Sequence, residues 1–246
     1  MRRHMPWKGI ANNMNTRYLD MLQKNSMTLI MSLPANDPEL ARTAWEYGAD
    51  VVKVHINVDH HASKTHFGSF EEEKEALLQI LQEAKGPCGL VAGGNLEKAR
   101  QDYRAAAEAG FEFVSLYAKH TPLEILESGL MLNMIALDSE YTTDEVRALD
   151  KIGAHVLEAS VMQPDTYGQP LSAKELMEYY TICSNTELPV VIPTQRAVLP
   201  EETAALQRCG AKAVMIGAVV TGKTKDSIAR SVSAFREAID KLQVSL

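Results

Sequence analysis

The chain has 246 residues, 46% of them hydrophobic, with 25 basic residues against 32 acidic ones and a formal net charge of −7. That balance argues against a broad nucleic-acid surface, which needs clustered Lys and Arg, and no apolar run approaches the roughly 20 residues that span a bilayer. The first ten residues, "MRRHMPWKGI", lack the apolar centre of a signal peptide. Cys88, Cys183 and Cys209 are odd in number and widely spaced, so reduced thiols in a cytoplasmic protein are the expectation.

Along the chain, "NTRYLDMLQK" (15–24) reads as a short extra helix covering the N-terminal mouth of whatever follows. From residue 27 onward, short apolar runs alternate with helical patterns. The runs are "TLIMSL" (28–33), "DVVKVHIN" (50–57), "CGLVAG" (88–93), "FEFVSLYA" (111–118), "LNMIALD" (132–138), "HVLEASVM" (155–162), "PVVIPT" (189–194) and "KAVMIGA" (212–218). Helix starts are marked by Asp37-Pro38, with proline at the first helical position. Three capping boxes mark others: Ser69 with Glu72, Thr142 with Glu145 and Ser172 with Glu175. Gly48, Gly110, Gly153 and Gly210 precede the even-numbered strands and fit left-handed helix ends. Eight βα units without a linker predict one α/β domain over residues 1–246: an N-terminal extension (1–26) and a closed (β/α)8, or TIM, barrel (27–246). An open doubly wound sheet is the rival, but "SLPANDPE" after the first strand carries no glycine-rich phosphate loop.

A barrel of this kind holds its site at the C-terminal ends of the strands, so polar residues there are the candidates. Alternation puts Lys53, His55 and Asn57 on one face of strand two. Both faces of a parallel sheet are normally buried, and a buried lysine is costly unless paired or used. Strand four offers Ser115, Tyr117 and Lys119, with His120 at the mouth; a solvated loop fits the last two equally well. Asp138 closes strand five, and Glu158 lies within strand six with Ser160 on its side. An amine and a carboxylate facing each other in a dry cavity are the materials of acid–base catalysis, though a structural ion pair would use the same residues. Gly217, Ala218, Thr221 and Gly222 after strand eight, with Arg196 after strand seven, are the candidate phosphate binders. Four histidines fall between residues 55 and 66. The polar stretch "DHHASKTHFGS" reads as a mobile loop or lid, and neither metal nor cofactor is expected, His55 being the best single ligand if one were.

These stretches resemble the ribulose-phosphate-binding barrel superfamily, in pattern over roughly residues 27–240. "IALDSE", "GAHVLEASVM" and "PEETAALQRCGAKAVMIGAVVTG" look like stretches of N-acylmannosamine-6-phosphate 2-epimerases. "GADVVKVHINVDHHASKTHFG" and "ASVMQPDTYGQ" are similar to stretches of ribulose-phosphate 3-epimerases. Neither catalytic set is complete. The third-strand lysine of the first family is absent from "CGLVAGG", and Thr194-Gln195 replaces its Glu-Gly pair. Lys53 and His55 stand where the second family has His and Asp, and its seventh-strand Asp is missing. The resemblance therefore implies the fold and a phosphorylated ligand, and carries over only Asp138 and the Gly217–Gly222 loop. The expected function is an isomerase or epimerase moving a proton next to a carbonyl of a small phosphorylated sugar or sugar acid. Lys53 and Glu158 are the acid–base pair, and His55 and Asp138 stabilise the enediolate. A Schiff-base aldolase using Lys53 and a non-catalytic ligand-binding barrel are the alternatives. The oligomeric state stays open, a homo-oligomer included.

Overall fold

The computed structural model describes residues 15–243. Eight parallel strands close into a barrel: β1 (Thr28–Ser32), β2 (Val51–His55), β5 (Cys88–Val91), β6 (Phe113–Tyr117), β7 (Leu132–Ala136), β8 (Val156–Glu158), β9 (Val190–Pro193) and β10 (Ala213–Ile216). All eight runs foreseen in the sequence are strands, each shorter than its apolar run. Two further strands, β3 (Val58–His60) and β4 (Thr65–Phe67), form an antiparallel hairpin outside the barrel. This corrects the expectation of a mobile loop there. The 59–69 stretch is paired and tethered: Thr65 Oγ1 donates to Pro34 O at 2.8 Å, and Asn57 N to Gly68 O at 2.7 Å.

The helices between strands begin and end on the residues that chemistry favours. Asp37 accepts from the backbone at the start of α2 (Pro38–Glu46). The reciprocal capping boxes form at α3 (Phe70–Gln82), α6 (Thr143–Ala148) and α7 (Ala173–Ser184). α4 (Leu96–Ala109) stops at Gly110 in the left-handed region, φ 109°, where a side chain would be strained. The remaining helices are α5 (Leu123–Glu127), α8 (Thr203–Arg208), α9 (Ala218–Thr221) and α10 (Lys225–Gln243).

Two apolar cores result. The larger lies between strands and surrounding helices. The smaller fills the lower bore, where α1 (Arg17–Lys24) inserts Tyr18, Leu19 and Leu22 against Ile30, Val51, Phe113, Leu132 and their inward neighbours. The extra helix thus plugs the N-terminal mouth, as its sequence suggests. Tyr18 stacks on Phe113 with ring centroids 4.2 Å apart, so the lower half of the bore is closed and chemistry is confined to the upper half.

Gly89 on β5 is fixed by that stack. A Cβ there would come within 2.2 Å of the Phe113 ring, which is itself wholly buried against Tyr18. Gly89→Ala is therefore expected to lower stability by about 1–3 kcal/mol, read as a reduced midpoint in chemical denaturation.

Candidate functional site

Above the plug, a cavity of about 860 Å³ opens toward the C-terminal strand ends, within the range of about 300–1,000 Å³ usual for small-molecule sites. Its floor is made by inward residues of facing strands. Lys53 on β2 and Glu158 on β8 are opposite each other in the eight-strand ring, four strands apart in either direction. Their side chains reach across the bore, with Lys53 Nζ 3.4 Å from Glu158 Oε2 and both residues almost completely buried. Ser115 on β6 donates its hydroxyl to the same carboxylate oxygen at 2.7 Å. The two charges neutralise each other, which makes their burial tolerable.

His55 lies one step higher on β2, wholly buried, with Nε2 3.4 Å from Ser32 Oγ and no partner for Nδ1. Its ring stacks against His60 and Phe67 of the hairpin, at 4.3 and 4.7 Å between centroids. Burial, then the nearby His60 and Lys53, hold its imidazole well below its ordinary pKa. His60 is brought down to about 4, again mainly by burial, with Lys53 and His61 adding repulsion. Both rings are neutral at physiological pH. His61 reaches across the mouth, its Nε2 3.2 Å from Pro164 O and its ring edge-on to Tyr167. Among the described residues, no three His, Cys, Asp or Glu side chains are grouped to hold a metal ion.

The opposite wall is hydroxyl-rich. Tyr117 Oη is 3.0 Å from Ser160 Oγ, and Gln195 Nε2 donates to Ser160 Oγ at 2.8 Å and also to Tyr167 Oη. Gln195 Oε1 accepts the Met162 backbone N–H at 3.0 Å. Burial pushes the Tyr117 hydroxyl up from its ordinary pKa, so it stays protonated.

The structure brings Lys53, His55, Glu158 and Gly217 into this cavity and leaves other expected residues outside it. Asp138 turns away after β7 to pair with Lys119, Oδ2 to Nζ 2.8 Å, and accepts from Glu140 N. The Lys119 hydrogen bond holds its carboxyl below the usual range. Arg196 also departs from the cavity. Gln195 keeps the inward parity of Val191 and Pro193, while Arg196, on the other parity, donates to Glu175 Oε1 at 2.8 Å and to Thr166 O at 2.7 Å. Thr221 is buried and donates to Gly222 O, so these two residues shape the turn after α9. Gly217 N donates to Thr194 Oγ1 at 3.2 Å, leaving Gly217 and Val219 on the cavity wall. Ser32, His60, Tyr167 and Gln195 were not singled out as site residues in the sequence. Gln195 was visible there only as a departure from a family pattern.

No helix of the described residues is long and apolar enough to cross a membrane. No protein-family model matches the chain, and no curated protein matches it in sequence. Its likeness to solved structures is one of fold. A tryptophan synthase chain from M. tuberculosis matches with a TM-score of 0.68 at 15% identity, over 93% of this chain and 99% of that one. Thiamine phosphate pyrophosphorylase from Pyrococcus furiosus matches with a TM-score of 0.61 at 15% identity, over 89% of this chain and 98% of that one. At such identities the comparison establishes a closed (β/α)8 barrel and leaves the chemistry to be argued from the cavity.

Proposed function

We propose that this protein is an isomerase or epimerase that moves a proton at the carbon next to a carbonyl in a small phosphorylated sugar or sugar acid. One observation carries the reading: an amine and a carboxylate from opposite barrel strands, 3.4 Å apart, meet at the floor of a closed-bottomed cavity. Such a pair supplies a carboxylate base and an ammonium acid at one point of the bore, so a proton taken from a bound carbon can be returned to it or to its neighbour without requiring water. Neutral His55, with Nδ1 unpartnered, lies beside the pair and supplies an uncharged hydrogen-bonding edge to the developing enediolate. The phosphate would sit against the backbone amides that follow Gly217 at the start of α9, the Gly217 N–H itself being held by Thr194. Arg196 and Asp138 have no part in this scheme, since their side chains are committed elsewhere.

The test is isotope exchange. Phosphorylated ketoses of five and six carbons and 2-acylamino sugar 6-phosphates are incubated with the protein in D₂O and followed by proton NMR. Protein-dependent loss of the signal at the carbon next to the carbonyl is the expected result. A full panel with no exchange would remove the reading. A second reading, Lys53 as a Schiff-base amine, rests on the same buried nitrogen having Glu158 as its one ion-pair partner among the described residues. Mass gain on Lys53 after borohydride reduction with a carbonyl substrate would select it.

A further inference from the structure

The hydroxyl wall of the cavity has a countable hydrogen-bond polarity. Gln195 is oriented by the Met162 backbone N–H, which can only donate, so the carbonyl end of the amide faces it and the two amide N–H groups face away. One N–H goes to Ser160 Oγ and one to Tyr167 Oη. Tyr117 Oη lies 3.0 Å from Ser160 Oγ. Three links therefore join four side chains. Two amide N–H groups and three hydroxyl protons are available to make them, five donors for three links. The Tyr167 hydroxyl proton is left over, and so is one of the two protons carried by Tyr117 and Ser160. Tyr117 and Ser160 both line the cavity. They also stand one inward step above the Ser115–Glu158 contact on the same two strands, about 6–7 Å nearer the mouth.

We propose that the Tyr117–Ser160 pair is an oxyanion-binding hole for the reacting carbonyl, and that Gln195 is the positioning residue that sets its polarity. This rests on the proton-transfer reading above. When the base of the Lys53–Glu158 pair takes the α-proton, the C–H electron pair becomes the carbon–carbon double bond and the carbonyl π pair moves to oxygen. The spare hydroxyl proton hydrogen-bonds that oxygen without being transferred. Return of a proton to carbon reverses the shift, so charge and atoms balance. A donor aimed at developing negative charge in a dry site is worth about 100- to 1,000-fold in turnover.

The donor count gives a discriminating test. Gln195→Glu keeps the shape but removes both amide donors and adds acceptors, so three hydroxyl protons serve three links and none is spare. Gln195→Met removes the amide altogether; three hydroxyl protons then serve one link, and two remain. The probes are phosphoglycolohydroxamate, whose hydroxamate mimics an enediolate, and inorganic phosphate as the reference, both by calorimetry. We expect Q195E to lose about 10- to 100-fold in hydroxamate affinity while phosphate affinity holds and Q195M stays within about 10-fold of the parent. The double variant Y117F/S160A, which leaves Gln195 in place, should lose as much as Q195E. Equal losses in Q195E and Q195M, or an unaffected double variant, would overturn the hole. Exchange of α-protons without hydroxamate selectivity defeats this inference alone. Hydroxamate selectivity without exchange on any sugar phosphate defeats the epimerase reading and leaves the hole standing.

Discussion

Lys53→Met is expected to cut turnover of the exchanging sugar phosphate by about 100- to 10,000-fold, the usual contribution of a placed acid–base group. The same substitution should also destabilise the fold. Glu158 would keep the Ser115 hydroxyl as a donor but lose the only cation within 4 Å among the described residues. An uncompensated buried charge costs about 3–5 kcal/mol, whereas replacing both members of a buried pair by apolar groups is often neutral or stabilising by about 1–4 kcal/mol. The double variant Lys53→Met with Glu158→Leu should therefore regain most of the lost stability in urea denaturation and none of the activity. That decoupling separates a catalytic pair from a structural one. If Lys53→Met turns over substrate at the parental rate, the acid–base role is lost, whatever happens to stability.

The barrel was readable because its signals are redundant. Eight apolar runs, three capping boxes and the glycines before the even strands each point to the same repeated unit, and the structure has every one of them. Strand ends were not readable. The "HVLEASVM" run is apolar to Met162, but the β8 ladder stops at Glu158, because packing of Val161 and Met162 rewards burial whether or not the backbone is paired. The hairpin was missed for the opposite reason. Its strands have three residues each, and the turn between them uses Lys64 at φ 53° rather than the Asn-Gly or Asp-Gly pair that announces a two-residue turn.

The same distinction divides the site. Period-two alternation works within strands, and it placed Lys53 and His55 of β2 and Glu158 of β8 on the inner face. Counting strands then makes the second and sixth of eight diametrically opposed, so their meeting is a property of the sequence pattern once the barrel is accepted. Past a strand end the pattern carries less. Asp138, two residues beyond β7, shares the inward parity of Met134 and Ala136 yet turns to Lys119, and Arg196, three residues beyond β9, keeps the outward parity and takes Glu175: a charged side chain at a rim takes the nearest opposite charge. Gln195 carries no charge and no motif. Its importance comes from contacts to Met162, Ser160 and Tyr167, which come from a different loop and strand end.

Acid is expected to unfold this protein earlier than its carboxylates alone require. His55 is held neutral against His60 and Phe67, with Lys53 beside it and Ser32 at Nε2, and no carboxylate lies within 4 Å of its ring nitrogens among the described residues. His60, facing His55, Lys53, His61 and Ser63, is brought down to about 4. Both pKa values lie below the unfolded value of about 6.5, so below that pH the unfolded chain binds protons that the native state refuses. Stability is then fully present above about pH 6.5 and declines as pH falls, with a slope of up to roughly 1 kcal/mol per pH unit for each imidazole. Across the window from 6.5 to 4 His60 should remove about 2–3 kcal/mol, allowing for its partial exposure, and His55 adds to the loss in the same direction. Urea denaturation at half-unit steps from pH 7.5 to 4.5 measures it. His60→Gln should flatten the slope by roughly half, because a neutral amide has no proton to bind and its loss also relieves the repulsion on His55. An unchanged slope in that variant would mean that His60 is not held neutral by the hairpin's contact with the cavity floor, and that the hairpin can leave the floor without unfolding the barrel.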